Sequence, residues 1–281
     1  MNVLFVGTGR GSFVMRGQQI GAALGARVTT SPCEEDWRWA DVAVLVKHAG
    51  LRYAREAHRC HVPILWDVLD CWVQPLHNAL NLDEGKDLIA GMAATIKPAA
   101  MIAATQRMAT DIGGVYIPHH CRIGLTPTPP RAQVQTVAYD GQSKYLGRWY
   151  KAILTECERR GWTFLINPPR LEQADILVAF RDGKWDGPLC YAWKSGVKYV
   201  NALCAGRPIL TQHCAALTEV PTYGVTLHSV AELFTGLDAI ENIGLREAAA
   251  LVSHVQKWSV DVIASDYYRP LLERVASRVA A

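Results

Sequence analysis

The most informative stretch of the sequence is WKSGVKYVNALCAGRPIL, residues 193–210. It begins as a polar loop, and the apolar periodicity over residues 197–205 predicts a helix. Gly206 should end that helix, because glycine readily adopts the left-handed conformation of a C-terminal cap. The apolar run over residues 208–211 then predicts a buried strand. A helix that leads into a buried strand is the repeating unit of an α/β fold.

Positive and polar side chains gather where this helix begins. Lys194 and Ser195 precede it, and Lys198 and Asn201 are three positions apart, hence on one face. Free backbone N–H groups at a helix N-terminus favour a bound anion. Arg181 ends the preceding predicted strand and is expected to join the group. The pattern predicts a diphosphate site, and the alternative is an ordinary helix with solvated lysines.

The same alternation of short apolar runs and helical stretches extends over all 281 residues. This length suggests about two domains, and the 50% of hydrophobic residues suffices for a large core. Pro127, Pro129 and Pro130 predict a stiff linker. We therefore expect an α/β protein of two Rossmann-like domains, residues 1–126 and 132–258, facing a cleft, followed by a C-terminal helix over residues 259–281.

Composition excludes several classes of protein. Lys and Arg number 29 against 26 Asp and Glu, and a net charge of +3 does not indicate a nucleic-acid binder. The eight cysteines show neither CxxC nor zinc-finger spacing, so we expect reduced thiols and no metal site. The N-terminus lacks a basic leader, and Lys97 and Pro98 interrupt the longest apolar stretch. We expect a cytoplasmic protein without a transmembrane segment, of undetermined oligomeric state.

A glycine loop, residues 7–12, follows the first predicted strand. Gly9 and Gly11 let the backbone approach a ligand, or simply form a tight turn. A dinucleotide fingerprint would need glycine at position 12 and an acidic residue ending the second strand. The chain has Ser12 and Ser31 there, which disfavours a nicotinamide dehydrogenase. Walker A is absent as well. Lys144 lies in the loop after the first strand of the second half and should also face the cleft.

Three further polar residues follow predicted strands of the first half. Asp67 and Asp70 are expected just past the carboxyl end of the strand over residues 63–66, where open α/β sheets place functional groups. His119 follows the strand over residues 115–117. Each of these groups is suited to orient an attacking hydroxyl or to accept its proton. The alternatives are a capping or solvated Asp and a structural histidine at a hinge.

The stretch over residues 193–210 resembles the nucleotide-sugar-binding signature of GT-B glycosyltransferases. Lys198, the pair Asn201-Ala202, Gly206 and Pro208 occur in the order of that signature. Many retaining members carry two glutamates eight positions apart, where this chain has Trp193 and Asn201. The stereochemical outcome therefore stays open.

The resemblance implies a C-terminal helix that crosses back to the first domain and a nucleoside-diphosphate sugar as donor, with a UDP-sugar favoured. It implies no metal and no tightly bound cofactor. The donor-binding candidates are Gly9, Gly11, Lys144, Arg181, Lys194, Ser195, Lys198 and Asn201, and the catalytic candidates are Asp67, Asp70 and His119.

The acceptor stays open at this point. It is either a glycan, lipid or small molecule, or a hydroxymethylated pyrimidine in DNA, as in some phage-encoded DNA-modifying GT-B enzymes. The rival functions are a sugar-nucleotide-modifying enzyme such as an epimerase, and a non-catalytic two-lobed binding protein.

Overall fold

Two parallel β-sheets organise the chain, which confirms the predicted α/β class. The structure, a computed structural model, describes residues 1–9, 11–75 and 79–280. The chain divides into two compact units. Unit 1 comprises Met1–Val73, Leu82–His120 and Ser259–Ala281, and unit 2 comprises Gln74–Asn81 and Cys121–Trp258. The C-terminal segment thus belongs to unit 1.

The strands of each unit follow one topological pattern. They are β1 (Val3–Val6), β2 (Arg27–Thr29), β3 (Val42–Val46), β4 (Ile64–Leu69), β5 (Ala100–Ala103), β6 (Val115–Tyr116), β7 (Thr136–Tyr139), β8 (Thr163–Ile166), β9 (Ile176–Ala179), β10 (Ile209–Thr211) and β11 (Gly224–Thr226). The order is β2-β1-β3-β4-β5-β6 in unit 1 and β11-β10-β9-β7-β8 in unit 2. In both sheets the first strand lies between the second and the third. Such a sheet has a switch point beside its first strand, where ligands bind at the carboxyl ends.

The helices connect these strands. They are α1 (Ile20–Leu24), α2 (Glu34–Trp39), α3 (Ala49–Arg59), α4 (Leu82–Ile96), α5 (Gln106–Ile112), α6 (Arg148–Arg160), α7 (Pro188–Trp193), α8 (Val197–Ala205), α9 (Ala216–Glu219), α10 (Leu233–Ala239), α11 (Leu245–Ala250), α12 (Val260–Val262) and α13 (Arg269–Ala280). π-helical turns precede α1, at Val14–Gln19, and α13, at Ile263–Tyr268. Among the described residues, no helix has both the length and the apolar character needed to cross a bilayer.

The buried core of unit 1 includes its C-terminal segment. Phe5, Val44 and Leu65 of the sheet share one cluster with Tyr268 and Leu272. These strands are buried on both faces, so their sequences are nearly continuous apolar runs, as is usual for parallel sheets.

Unit 2 has two clusters. One contains Trp149 stacked on Phe180 at 3.9 Å between ring centroids, and the other contains Tyr199 and Leu203 of α8. The proline-rich stretch predicted as a linker belongs to unit 2, within which Arg207 Nη1 donates to the Thr128 carbonyl at 2.9 Å. The predicted domain boundaries at 126 and 132 stay a prediction.

Candidate functional site

The carboxyl ends of β7 and β9 gather polar groups at the switch point of unit 2. Lys198, in the first turn of α8, donates from Nζ to the backbone carbonyl of Asp140, directly after β7. The same ammonium lies 3.8 Å from the centroid of the Tyr139 ring. Asn201 Nδ2 donates to Asp140 Oδ2 at 3.0 Å, and Asn201 Oδ1 accepts from the Arg122 backbone N–H at 2.9 Å. The helix and the end of β7 are therefore tied together by side chains predicted to bind the donor.

Three cations share this part of unit 2. Burial and then the charges of Arg181 and Lys194 lower the pKa of Lys198 from 10.5 to about 7, against the opposing effect of Asp140. Arg181 and Lys194 also act electrostatically on Tyr139. Ser195, at the start of α8, is buried. An anion placed here would relieve the mutual repulsion of the cations, which is the electrostatic character of a phosphate site.

Gln212 is a polar neighbour that the sequence interpretation missed. Its Oε1 accepts from the Arg181 backbone N–H at 2.7 Å, and its Nε2 donates to Asp186 Oδ1 at 2.8 Å. Gln212 follows β10 directly, so it anchors the loop after β9 from the neighbouring strand. The sequence signal that could have identified Gln212 is its position as a polar residue directly after a predicted buried strand.

Gly141 explains how Lys198 reaches the Asp140 carbonyl. A Cβ on this glycine would lie 3.0 Å from the Tyr139 ring and 3.2 Å from Lys198 Nζ, which is closer than side chains normally pack. Lys144 lies in the same loop, is exposed, and stands 5.3 Å from the centroid of the Tyr145 ring. Because Gly141 has no side chain, the backbone of this loop can lie close to Lys198.

The two predicted glycines of the donor site belong to unit 1. Gly9 and Gly11 have positive φ angles of 73° and 29°, which glycine tolerates best. Their loop borders a cavity of about 210 Å³. The lining residues are Thr8, Gly11, Ser12, Phe13, Val46, Lys47 and His48. The other six donor-binding candidates all lie in unit 2.

Asp67 does not lie where the sequence predicted it. Strand β4 continues to Leu69, so Asp67 stands inside the strand and is fully buried. Its Oδ2 accepts from Arg16 Nε at 2.9 Å and from the Tyr268 hydroxyl at 2.7 Å. The predicted position past the strand is wrong. The apolar strand can include a buried carboxylate because the buried Arg16 guanidinium balances its charge. These contacts favour a structural role for Asp67.

Arg16 connects Asp67 to the backbone between β6 and His119. Its Nη1 donates to the carbonyls of Ile117 at 3.0 Å and Pro118 at 2.8 Å. His120 is held as well, with Nε2 3.1 Å from the Met15 carbonyl. The backbone leading to His119 is thus fixed from inside unit 1.

Asp70 and His119 are both nearly buried at the carboxyl edge of the unit 1 sheet. Asp70 pairs with Lys47 at 2.9 Å. Burial, followed by the charge of Arg16, holds the pKa of His119 well below 6.5, although Asp70 opposes this shift. Its Nδ1 has no hydrogen-bond partner among the described residues. His119 is therefore neutral near pH 7.

Lys47, directly after β3, is a further residue that the sequence interpretation missed. Lys47 and Leu69 have φ angles of 54° and 71°, a region that costs non-glycine residues about 1–3 kcal/mol. Backbone strain therefore coincides with the edge that carries Asp70. In the described ranges, no three His, Cys, Asp or Glu side chains are grouped to hold a metal ion.

Comparisons with known proteins address the fold. No protein-family model and no curated protein matches the chain. Among solved structures, Anabaena HepE in complex with UDP aligns with a TM-score of 0.63 and 13% identity, covering 97% of this chain and 100% of HepE. The spinosyn forosaminyltransferase SpnP aligns with a TM-score of 0.57 and 12% identity, covering 99% of both chains.

A trehalose-phosphate synthase from Burkholderia xenovorans, in complex with glucose-6-phosphate, aligns with a TM-score of 0.56 and 8% identity. The alignment covers 96% of this chain and 100% of the synthase. At such identities the likeness concerns the fold. The chain has the GT-B glycosyltransferase fold, which confirms the fold implied by residues 193–210.

Proposed function

We propose that the protein is a glycosyltransferase that moves a sugar from a nucleoside-diphosphate sugar, with a UDP-sugar favoured, to an acceptor hydroxyl without a metal ion. The observation that carries this proposal is the cation cluster of Lys198, Arg181 and Lys194 at the unit 2 switch point. HepE, which has the same fold, was solved with UDP.

The cluster suits the leaving group of such a transfer. When the bond between the anomeric carbon and the diphosphate breaks, negative charge develops on the terminal phosphate oxygen. Fixed cations next to that oxygen stabilise the transition state more than the ground state. Asn201 donates to the Asp140 carboxylate and accepts from the Arg122 backbone N–H, so it positions Asp140, whose carbonyl accepts from Lys198.

Unit 1 supplies groups for the acceptor. His119, neutral near pH 7, takes the proton of the attacking hydroxyl as it bonds to the anomeric carbon. Asp70 acts electrostatically on His119 and is itself held by Lys47. Gly9 and Gly11, with positive φ angles, let the backbone approach a ligand. The favoured acceptor is a glycan, lipid or small molecule, and hydroxymethylated DNA is the alternative acceptor.

A panel of UDP- and GDP-sugars tests the proposal. We expect at least one of these sugars to bind and to raise the thermal unfolding temperature of the protein. Without an acceptor, it should be hydrolysed slowly, with transfer of the sugar to water and release of the nucleoside diphosphate. If none binds, is hydrolysed or is transferred, the proposal fails. A product in which the sugar is altered but stays on the nucleotide would identify an epimerase instead. Transfer of labelled sugar to hydroxymethylated but not to plain DNA would assign the acceptor.

A further inference from the structure

Two cysteines of unit 2 lie side by side, close to the Asn201 amide. Cys121 precedes Arg122, whose backbone N–H donates to Asn201 Oδ1 at 2.9 Å. Cys204 follows Asn201 by three positions in α8, so both lie on one face of the helix. The Cys204 thiol donates a hydrogen bond to Cys121 Sγ, and the two side chains pack in one apolar cluster. The segment of residues 121–122 is therefore attached to α8 at two successive turns.

The two thiols differ in exposure and in acidity. Cys204 is buried, whereas Cys121 is half-buried and keeps part of its surface in solvent. The hydrogen bond from Cys204 lowers the pKa of Cys121, against the opposing effect of burial. Burial instead raises the pKa of Cys157 to about 12. Because the thiolate is the form that reacts with oxidants, Cys121 should react faster than Cys157.

The backbone around Cys121 is held from two further directions. The Cys121 N–H donates to the Trp258 carbonyl at 2.8 Å, and Arg122 Nη1 donates to the Pro168 carbonyl at 3.2 Å. These contacts keep Cys121 next to Cys204 throughout the folded state. A reactive thiol that is held beside a second thiol is the usual arrangement of a dithiol that oxidises to a disulfide.

We propose that Cys121 and Cys204 form a site of reversible oxidation, at which a hydroperoxide converts the two thiols into a disulfide. The Cys121 thiolate attacks the peroxide, whose O–O bond breaks. One oxygen stays on the sulfur as a sulfenic acid, and the other leaves as hydroxide and takes up a proton to become water.

The second step closes the disulfide. Once Cys121 is a sulfenic acid, the hydrogen bond to its thiolate no longer occupies the Cys204 thiol. The Cys204 sulfur attacks the Cys121 sulfur, the S–O bond breaks, and the thiol proton leaves with that oxygen as a second molecule of water. In sum, two thiols are oxidised to one disulfide and hydrogen peroxide is reduced to two molecules of water.

The disulfide changes the contacts that hold Lys198. Bonded sulfur atoms are about 2.05 Å apart, much closer than hydrogen-bonded ones. The segment of residues 121–122 therefore has to shift against α8, and the Arg122 N–H shifts with it on Asn201. Asn201 donates to Asp140, whose carbonyl accepts from Lys198. This consequence rests on the proposed function: oxidation should weaken donor binding, and reduction should restore it.

Mild treatment of the whole chain with hydrogen peroxide tests the site. By mass spectrometry the oxidised protein should lose two hydrogen atoms, and its digest should contain a peptide that joins Cys121 to Cys204. Because the bond closes a long loop, the thermal unfolding temperature should rise by about 5–15 °C. The Kd for UDP should rise roughly 5-fold or more, within the usual range of coupling between sites. Dithiothreitol should reverse all three changes.

Three variants serve as controls. Cys121→Ser and Cys204→Ala each remove one partner, and neither should show these changes after peroxide treatment. Cys121→Ser alters the half-buried position, so it keeps the test decisive if Cys204→Ala fails to fold. Cys33→Ser is the matched control, because Cys33 is exposed and its Sγ lies 3.3 Å from Asp36 Oδ2. This variant should form the disulfide as the unaltered protein does.

The outcomes distinguish the oxidation site from the proposed function. If peroxide leaves Cys121 and Cys204 unlinked, or joins a different pair of cysteines, the site is overturned. If the disulfide forms and the Kd for UDP is the same before and after oxidation, the effect on donor binding is overturned. If the reduced protein does not bind UDP, the proposed function fails, and the linked peptide and the unfolding temperature still decide whether the site exists.

Discussion

Replacing Asp67 by asparagine should unfold unit 1 at markedly lower denaturant concentration. Asp67 and Arg16 are both fully buried, with Nε 2.9 Å from Oδ2. Asparagine keeps the volume of the side chain but removes the charge that balances the guanidinium. Breaking a buried pair from one side costs about 3–5 kcal/mol, because the remaining charge stays in the interior. Since whole domains are stable by about 5–15 kcal/mol, the loss is a large fraction of the total.

An exposed ion pair provides the control. Arg38 Nη2 lies only 2.6 Å from Glu34 Oε1, but the two side chains are 74% and 56% exposed. Solvent screens such a pair, so Glu34→Gln should cost about 0–1 kcal/mol in spite of the shorter distance. If burial determines the loss of stability, Asp67→Asn should destabilise the protein more than Glu34→Gln. If the distance within the ion pair determines it, the order should be reversed.

Urea unfolding followed by circular dichroism and tryptophan fluorescence measures both changes. Tyr268→Phe extends the test, because it removes only the hydroxyl that donates to Asp67. A hydrogen bond to a charged group contributes about 1.5–3 kcal/mol, and Tyr268→Phe should cost less when Asp67→Asn is already present. If Asp67→Asn destabilises the protein no more than Glu34→Gln, the structural assignment of Asp67 is refuted.

Three predictions concern the proposed reaction. Lys198→Ala should lower kcat about 100- to 1,000-fold in steady-state kinetics, the usual loss for one preorganised transition-state contact, whereas Lys97→Ala in unit 1 should leave it unchanged. UDP should bind less tightly as pH rises above about 7, because Lys198 is then neutral in the free protein and has to take up a proton when UDP binds. Calorimetry in buffers of different ionisation enthalpy should detect this proton uptake, and Lys198→Ala should abolish it. His119→Gln should lower kcat and leave the KM for the donor unchanged. Because the pKa of His119 is held well below 6.5, the unaltered enzyme should lose kcat only when the pH falls below this lowered pKa. An unchanged kcat in His119→Gln would remove His119 from the mechanism.

Local signals predicted part of the site well. Helix α8 spans Val197–Ala205 as expected, because an apolar helical period ends at Gly206, whose φ of 67° makes it the C-terminal cap. Lys198 and Asn201 lie on one face of α8 because they are three positions apart in the helix. Short elements such as α5 and β11 were missed, since they carry too few residues to show a period.

Asp67 could not be placed from its neighbours in the chain. Its partners Arg16 and Tyr268 are 51 and 201 positions away, so nothing local indicates that the carboxylate is neutralised in the interior. The sequence around residue 67 shows only an Asp after apolar residues, which is equally typical of a strand end. The contribution of Gln212 likewise depends on two adjacent strands, a relation that only the folded sheet establishes.

The separation of 201 positions between Asp67 and Tyr268 also bears on the order of events during synthesis. A chain that emerges from the ribosome N-terminus first presents Arg16 and Asp67 long before the phenol that completes their network. The segment Cys121–Trp258 of unit 2 is finished earlier than the last segment of unit 1, Ser259–Ala281. Contacts between residues so far apart in the chain slow folding. During translation, unit 2 should therefore reach its native structure first, although unit 1 is started first.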